Sequence, residues 1–152
     1  MFDFITDRSQ SHIDRLNRLH AKGWANMTEA EQEEWYDSAA KGAYNYSDLN
    51  RVESAVKLLA TVLGLELTTK TDWGLWDIPT ESDMKRYLSN VVAIRDACTS
   101  ITSYPTLPSS MSGLTFKMAN NIEKVLSLVY DEKVSSAPVL GAMILGQTVI
   151  SS

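Results

Sequence analysis

The sequence predicts an all-α domain of about five amphipathic helices in a bundle, and an internal repeat is the main reason. The stretch Ala43 to Leu59, AYNYSDLNRVESAVKLL, returns seventy residues later in diverged form as Gly113 to Val129, GLTFKMANNIEKVLSLV. A related segment, TESDMKRYLSNVVAI, begins at Thr80, half-way between the two copies. Apolar residues recur in all three at a spacing of three, four and three, which places one apolar stripe along each helix.

Each repeated segment opens with a residue that suits a helix N-cap, namely Asn45, Thr80 and Thr115. Counted from these caps, the apolar stripes match register for register. The matched positions are Leu49, Met84 and Ala119; Val52, Tyr87 and Ile122; Val56, Val91 and Leu126; Leu59, Ile94 and Val129. We therefore expect the three helices to share one core.

Two further helices precede the repeat. Asp7 with Gln10 fits a capping box for a first helix that ends before Gly23, and Thr28 with Glu31 fits a second one. These two complete the predicted set of five helices.

The segment after the third helix, residues 65–79, reads LELTTKTDWGLWDIP and predicts a structured loop with a short strand or hairpin. Trp73 and Trp76 in this loop have two interpretations. They plug a gap between helices, which is the simpler one, or they form an aromatic platform for a sugar or a peptide.

The first and last copies share a polar pair, Asn50 with Glu53 and Asn120 with Glu123. An Asn and a Glu one turn apart can hydrogen-bond each other or a neighbouring backbone, so we expect structural pairs. A catalytic dyad would need the two glutamates to face each other across a cleft with unequal protonation, and the sequence has no sign of that. It also has no glycine-rich phosphate loop and no clustered Cys and His, so we expect no enzyme, no cofactor and no metal.

Composition limits the partners. The 152 residues fit one domain, 44% of them are hydrophobic, and 19 acidic against 14 basic residues give a net charge of −5. Since the basic residues are scattered, we do not expect nucleic acid as the main ligand.

Cys98 is expected to be a buried structural thiol, and His12 and His20 lie too far apart along a helix to share a metal. The N-terminus does not resemble a signal peptide, so we expect synthesis in a cytoplasm without export by the general route.

The end of the chain forms the second predicted unit. Residues 1–133 are expected to be the helical domain and residues 134–152 an uncharged apolar arm that is too broken by Gly for a membrane span. An extended arm of this kind suits a groove or a sheet edge, either of the same chain or of a neighbouring subunit, and we favour the neighbour. The arm residues proposed for assembly are Val139, Leu140, Ile144, Leu145, Val149 and Ile150.

Several short sequence motifs of this chain occur together in a known kind of protein. They are Asp7-Arg8-Ser9-Gln10, Lys22-Gly23 with Asn26, Gly42-Ala43-Tyr44-Asn45, Asp48-Leu49-Asn50-Arg51-Val52-Glu53, Ile78-Pro79-Thr80 with Asp83-Met84, and Ala119-Asn120-Asn121-Ile122-Glu123-Lys124. Over residues 7–130 the chain resembles a helical module of virion structural proteins, tail or baseplate associated, from phages and prophages of Gram-positive gut bacteria.

The resemblance implies a non-enzymatic structural role in a virion. The partners expected from it are further copies of the chain or other virion proteins. The alternative is a module that binds carbohydrate or the cell wall, such as a host surface glycan, through Trp73 and Trp76.

Overall fold

A computed structural model describes residues 2–36 and 40–136 of the chain, and its regular structure there is entirely helical. The five α-helices are α1 (Gln10–Lys22), α2 (Glu29–Tyr36), α3 (Tyr46–Leu63), α4 (Glu81–Ala97) and α5 (Phe116–Tyr130). The predicted all-α class is confirmed. The described residues contain no strand, so the short strand or hairpin expected within residues 65–79 is wrong; this segment instead packs on helices as extended chain with one turn.

All three predicted caps of the repeated helices are confirmed. The side chain of Asn45 accepts a hydrogen bond from the Ser47 N–H, and those of Thr80 and Thr115 accept from the third residue of their helices. Each cap satisfies an N–H that has no partner within the helix. The repeat therefore predicted the starts of α3, α4 and α5 to the residue.

The predicted start of α1 is wrong by two residues. Ser9 is the N-cap, and its N–H donates to Nδ1 of His12 at 3.0 Å. The carboxylate of Asp7 instead pairs with Lys41, at 2.7 Å, and so belongs to a contact with the chain after α2. The second predicted capping box, Thr28 with Glu31, is confirmed at the start of α2.

The core lies between α3, α4 and α5, which contact one another in all three pairings. The matched stripe positions point inward as the repeat predicts, and Met84 alone among them is half-buried. The stripe residues with at most 1% exposure are Val52, Val56, Leu59, Tyr87, Val91, Ile94, Ile122, Leu126 and Val129.

The three core helices begin at the same end of the bundle. The residues just before their caps, Tyr44, Pro79 and Leu114, line one common cavity. Helices that begin together run in the same direction, so each connection must return along the bundle, about 27 Å for an 18-residue helix. This return explains why the links 65–79 and 99–114 are long and extended.

Helices α1 and α2 form a hairpin beside this core. Arg15 of α1 pairs with Glu34 of α2 at 2.9 Å, and Lys22 pairs with Glu31 at 2.6 Å. Gly42 then brings the chain back against the first turn of α1, where a Cβ would lie 2.4 Å from the carbonyl oxygen of His12. Only glycine fits this approach of two backbones.

The chain after α5 continues as a π-helical turn, Asp131–Ser135, and Val134 packs against the core. Val134, the first residue of the predicted arm, thus contacts the bundle. The six proposed arm residues, from Val139 to Ile150, lie outside the described residues. In the part of the chain that the structure describes, no helix has the length and apolar run that a membrane span requires.

Candidate functional site

The Asn side chains of the repeated pairs clamp the backbone of distant segments. Asn50 on α3 accepts a hydrogen bond from the Trp73 N–H at 2.7 Å and donates to the Trp73 carbonyl at 2.9 Å. Asn120 on α5 does the same for Arg8, accepting from its N–H at 3.0 Å and donating to its carbonyl at 2.9 Å. A side-chain amide that accepts from the N–H and donates to the carbonyl of the same residue satisfies both backbone groups, as a neighbouring β-strand would.

The glutamate of each pair holds the same docked segment three residues earlier. Glu53 accepts from the backbone N–H of Lys70 at 2.6 Å, and Glu123 accepts from that of Ile5 at 2.8 Å. Lys70 precedes Trp73 by three positions, as Ile5 precedes Arg8. The two copies of the repeat therefore bind two unrelated segments through the same pattern of hydrogen bonds. We call these sites the α3 clamp (Asn50 and Glu53) and the α5 clamp (Asn120 and Glu123).

An arginine from a neighbouring helix closes each clamp. Arg86 of α4 contacts both carboxylate oxygens of Glu53, at 2.7 and 2.8 Å. Arg51 of α3 contacts both oxygens of Glu123, at 2.9 and 2.7 Å. Both arginines stand six residues after their N-caps, so they belong to the repeat as well. Two-pronged pairs of this kind are strong and orient both partners.

The α5 clamp carries a second ion pair. Arg8 donates to Glu123 at 2.8 Å and to Asp48 at 2.7 Å, and Arg51 also reaches Asp48. Two guanidinium groups thus face two carboxylates in a neutral cluster, which lowers the cost of burying charge. The Arg8 guanidinium lies 5.3 Å from the centre of the Tyr44 ring, and its Nε is buried without a hydrogen-bond partner among the described residues.

A tyrosine pair lies next to this cluster. The hydroxyl groups of Tyr44 and Tyr87 are hydrogen-bonded to each other. Burial raises the pKa of both phenols well above 10, and the negative charges of Glu123 and Asp48 raise it further. Each phenol therefore loses its proton at a higher pH than a free tyrosine does.

The two predicted tryptophans have different environments. Trp73 is 5% exposed, its indole N–H points at Glu53, and the Lys70 ammonium covers its ring at 4.8 Å. Trp76 is 83% exposed. The structure does not bring the two indoles together as one platform. Trp73 is buried against the helices, and Trp76 remains at the surface.

Trp76 belongs to an exposed apolar tip, which we define as Leu75, Trp76 and Ile78. A turn closes the tip, because the Asp77 N–H donates to the Gly74 carbonyl and the Asp77 carboxylate accepts from the Gly74 N–H at 2.9 Å. Ile78 is 88% exposed and Leu75 is 44% exposed. The α3 clamp thus holds the base of a loop whose end presents three apolar side chains to solvent.

The clamp arrangement gives no free acid or base. All oxygens of Glu53 and Glu123 accept hydrogen bonds from arginine or backbone N–H groups. In the described ranges no three His, Cys, Asp or Glu side chains are grouped to hold a metal, and Cys98 is buried where α4 ends. The site can position chain segments, and the exposed tip can contact a partner.

The repeat in the sequence predicts the Asn and Glu residues of the clamps, whereas the arginines and Asp48 were not predicted. A signal for two of them was present, because Arg51 and Arg86 occupy the same register after their caps. Arg8 lies outside the repeat, and no local pattern connects it with Glu123.

Comparison of the chain with protein-family models, with curated proteins and with solved structures finds no match.

Proposed function

We propose that this protein is a non-enzymatic structural component of a phage particle that acts through protein–protein contacts. The observation that carries the proposal is the apolar tip on a rigidly clamped loop. Trp76 and Ile78 expose most of their surface, while the residues just before the tip are tied to α3 and α4 by Asn50, Glu53 and Arg86. Large apolar residues held rigidly in solvent are typical of contact sites, since their ordering cost is met before binding.

The particle setting comes from the resemblance of residues 7–130 to virion structural proteins. The test is to induce a prophage that encodes the chain, purify particles by density gradient and measure the chain by quantitative mass spectrometry. We expect it to co-sediment with the major structural proteins in a fixed ratio, whereas a cytoplasmic host enzyme measured in parallel stays behind. A chain that remains in the soluble fraction with that enzyme would refute the proposal.

The proposed assembly arm has its own test. The five described helices, and the core that α3, α4 and α5 share, lie before Ser136, so a chain truncated after this residue should keep its helical circular dichroism. If the arm drives assembly, the truncated chain has a lower mass by light scattering than the full chain. A truncated chain that unfolds would show that the arm completes its own core.

Glycan binding is the second candidate, and Trp76 is the observation that favours it, because an exposed indole face can stack on a sugar ring. The buried Trp73 offers no such face. Addition of host cell-wall polysaccharide should then shift tryptophan emission in the native protein but not in Trp76→Ser. An unchanged spectrum in the native protein would exclude this function.

A further inference from the structure

An apolar groove lies directly beside the exposed tip. It has a volume of about 1000 Å³ and runs from the common end of the three core helices along the outer side of α4. Its apolar lining comes from Tyr44, Met84, Leu88, Val92, Met111 and Leu114. Pro79, which follows Ile78 of the tip, lines the same groove, so a convex and a concave apolar surface are contiguous on one face.

The repeat explains why this groove is apolar. Eight residues after the N-cap, α3 and α5 carry the clamp glutamates, whereas α4 carries Leu88. Six residues after the cap, α3 and α4 carry arginine, whereas α5 carries Asn121, which donates to the Thr106 carbonyl at 2.8 Å. The α4–α5 interface therefore lacks the ion pair of the other two, and Leu88 lines the groove instead.

We propose that two copies of the chain pair with the tip of each in the groove of the other. A two-fold axis near Pro79 places both tips in both grooves at once, because tip and groove adjoin on one face; such a self-complementary contact closes after two copies. The inference rests on the proposed function, in which the tip is a contact site, and it names the first partner as a second copy.

The surface area that two copies can bury agrees with this pairing. An indole buries about 150–250 Å², and a stable interface needs about 800 Å² from each partner. One tip alone buries too little surface area. In a reciprocal contact each copy buries both its tip and its groove, so the area buried on each copy is larger.

The test measures the mass of the full chain by sedimentation velocity over a range of concentrations. Trp76→Ser and Ile78→Ser each remove a tip residue, and Ser89→Arg fills the groove from an exposed position on α4. Ser82→Arg adds the same charge and bulk at an exposed position of α4 that does not line the groove, and serves as the matched control. We expect the native chain and the control to be at least dimeric, and the dissociation constant of the pair to be raised at least roughly 30-fold in Trp76→Ser and Ser89→Arg.

Mixing the two defective chains sharpens the test. In a pair of Trp76→Ser with Ser89→Arg, both defects fall in the same half of the contact and the other half is intact. The mixture should therefore form heterodimers at concentrations where each variant alone is monomeric. A mixture that stays monomeric would overturn the fit of tip into groove.

Two other results would also overturn the inference. One is a native chain that is monomeric at every concentration, and the other is an oligomer whose mass is unchanged by all tip and groove variants. A monomeric chain that nevertheless co-sediments with particles would refute the pairing and leave the proposed function standing. A chain that dimerises as described but is absent from particles would do the reverse.

Discussion

The α3 clamp and the α5 clamp use the same residue types in the same register, but they differ in their access to water. Glu53 of the α3 clamp has one arginine partner, Arg86, whose side chain is 23% exposed. Glu123 of the α5 clamp has two, and the side chain of Arg8 is only 2% exposed. Because a buried charge that loses its partner costs far more than one that can turn to solvent, equal motifs should differ in their contribution to stability.

The largest effect is expected for Glu123→Gln. This change removes the carboxylate that faces Arg8 and Arg51 and leaves the cluster with excess positive charge in a buried place. We expect a loss of about 3–5 kcal/mol in the free energy of unfolding. Urea denaturation followed by circular dichroism measures it, and a loss below that of Glu53→Gln would contradict the comparison.

Glu53→Gln should have a smaller effect, about 2 kcal/mol. Arg86 is partly exposed and can find water when its partner is neutral, while the Gln side chain can still accept from the Lys70 N–H. The same denaturation experiment measures the change. Glu81→Gln, an exposed position in an exposed ion pair, is the control and should change stability little.

Substitution of the two asparagines should lower stability by similar amounts, but it should affect different parts of the structure. Asn50→Ala and Asn120→Ala each remove two hydrogen bonds to one backbone residue, at a cost of about 2 kcal/mol. Amide hydrogen exchange should become faster at Trp73 in the first variant and at Arg8 in the second. If both amides respond equally to either change, the clamps are one cooperative unit.

Alkaline pH should weaken the surroundings of the α5 clamp. The folded pKa of Tyr44 and Tyr87 is raised above the value of 10 that unfolded tyrosine has, so their contribution is complete below pH 10 and is lost as the pH rises further. At pH 11, a tyrosine that is still protonated in the folded chain lowers the free energy of unfolding by about 1.4 kcal/mol, because the same tyrosine is ionised in the unfolded chain.

Tyr44→Phe is the matched test of this loss, because it removes one of the two phenols. The difference in stability between pH 8 and pH 11 should be smaller in this variant than in the native chain. An equal difference in the two proteins would assign the alkaline loss to other groups.

Much of the fold followed from the repeat, because capping and apolar spacing are local properties. Asn45, Thr80 and Thr115 each meet the backbone N–H groups of their own helix, and the stripes need only a common register. The docking of residues 5–8 on α5 could not be predicted in the same way, since it depends on a contact between Arg8 and Glu123 across the whole chain. The fate of Trp73 and Trp76 was equally undecided, because a clamp on the backbone of one residue, Asn50 on Trp73, determines which indole is buried.

The separation in sequence between Arg8 and its partners also orders the assembly of the chain during synthesis. Arg8 lies 40 residues from Asp48 and 115 from Glu123. On the ribosome, the first of these partners emerges long before the second, so the N-terminal segment can meet Asp48 early but has no second carboxylate until α5 is made. Contacts this distant close slowly and late. Completion of the buried cluster therefore requires the synthesis of α5, and a nascent chain that ends before α5 should be accessible to protease at residues 2–8.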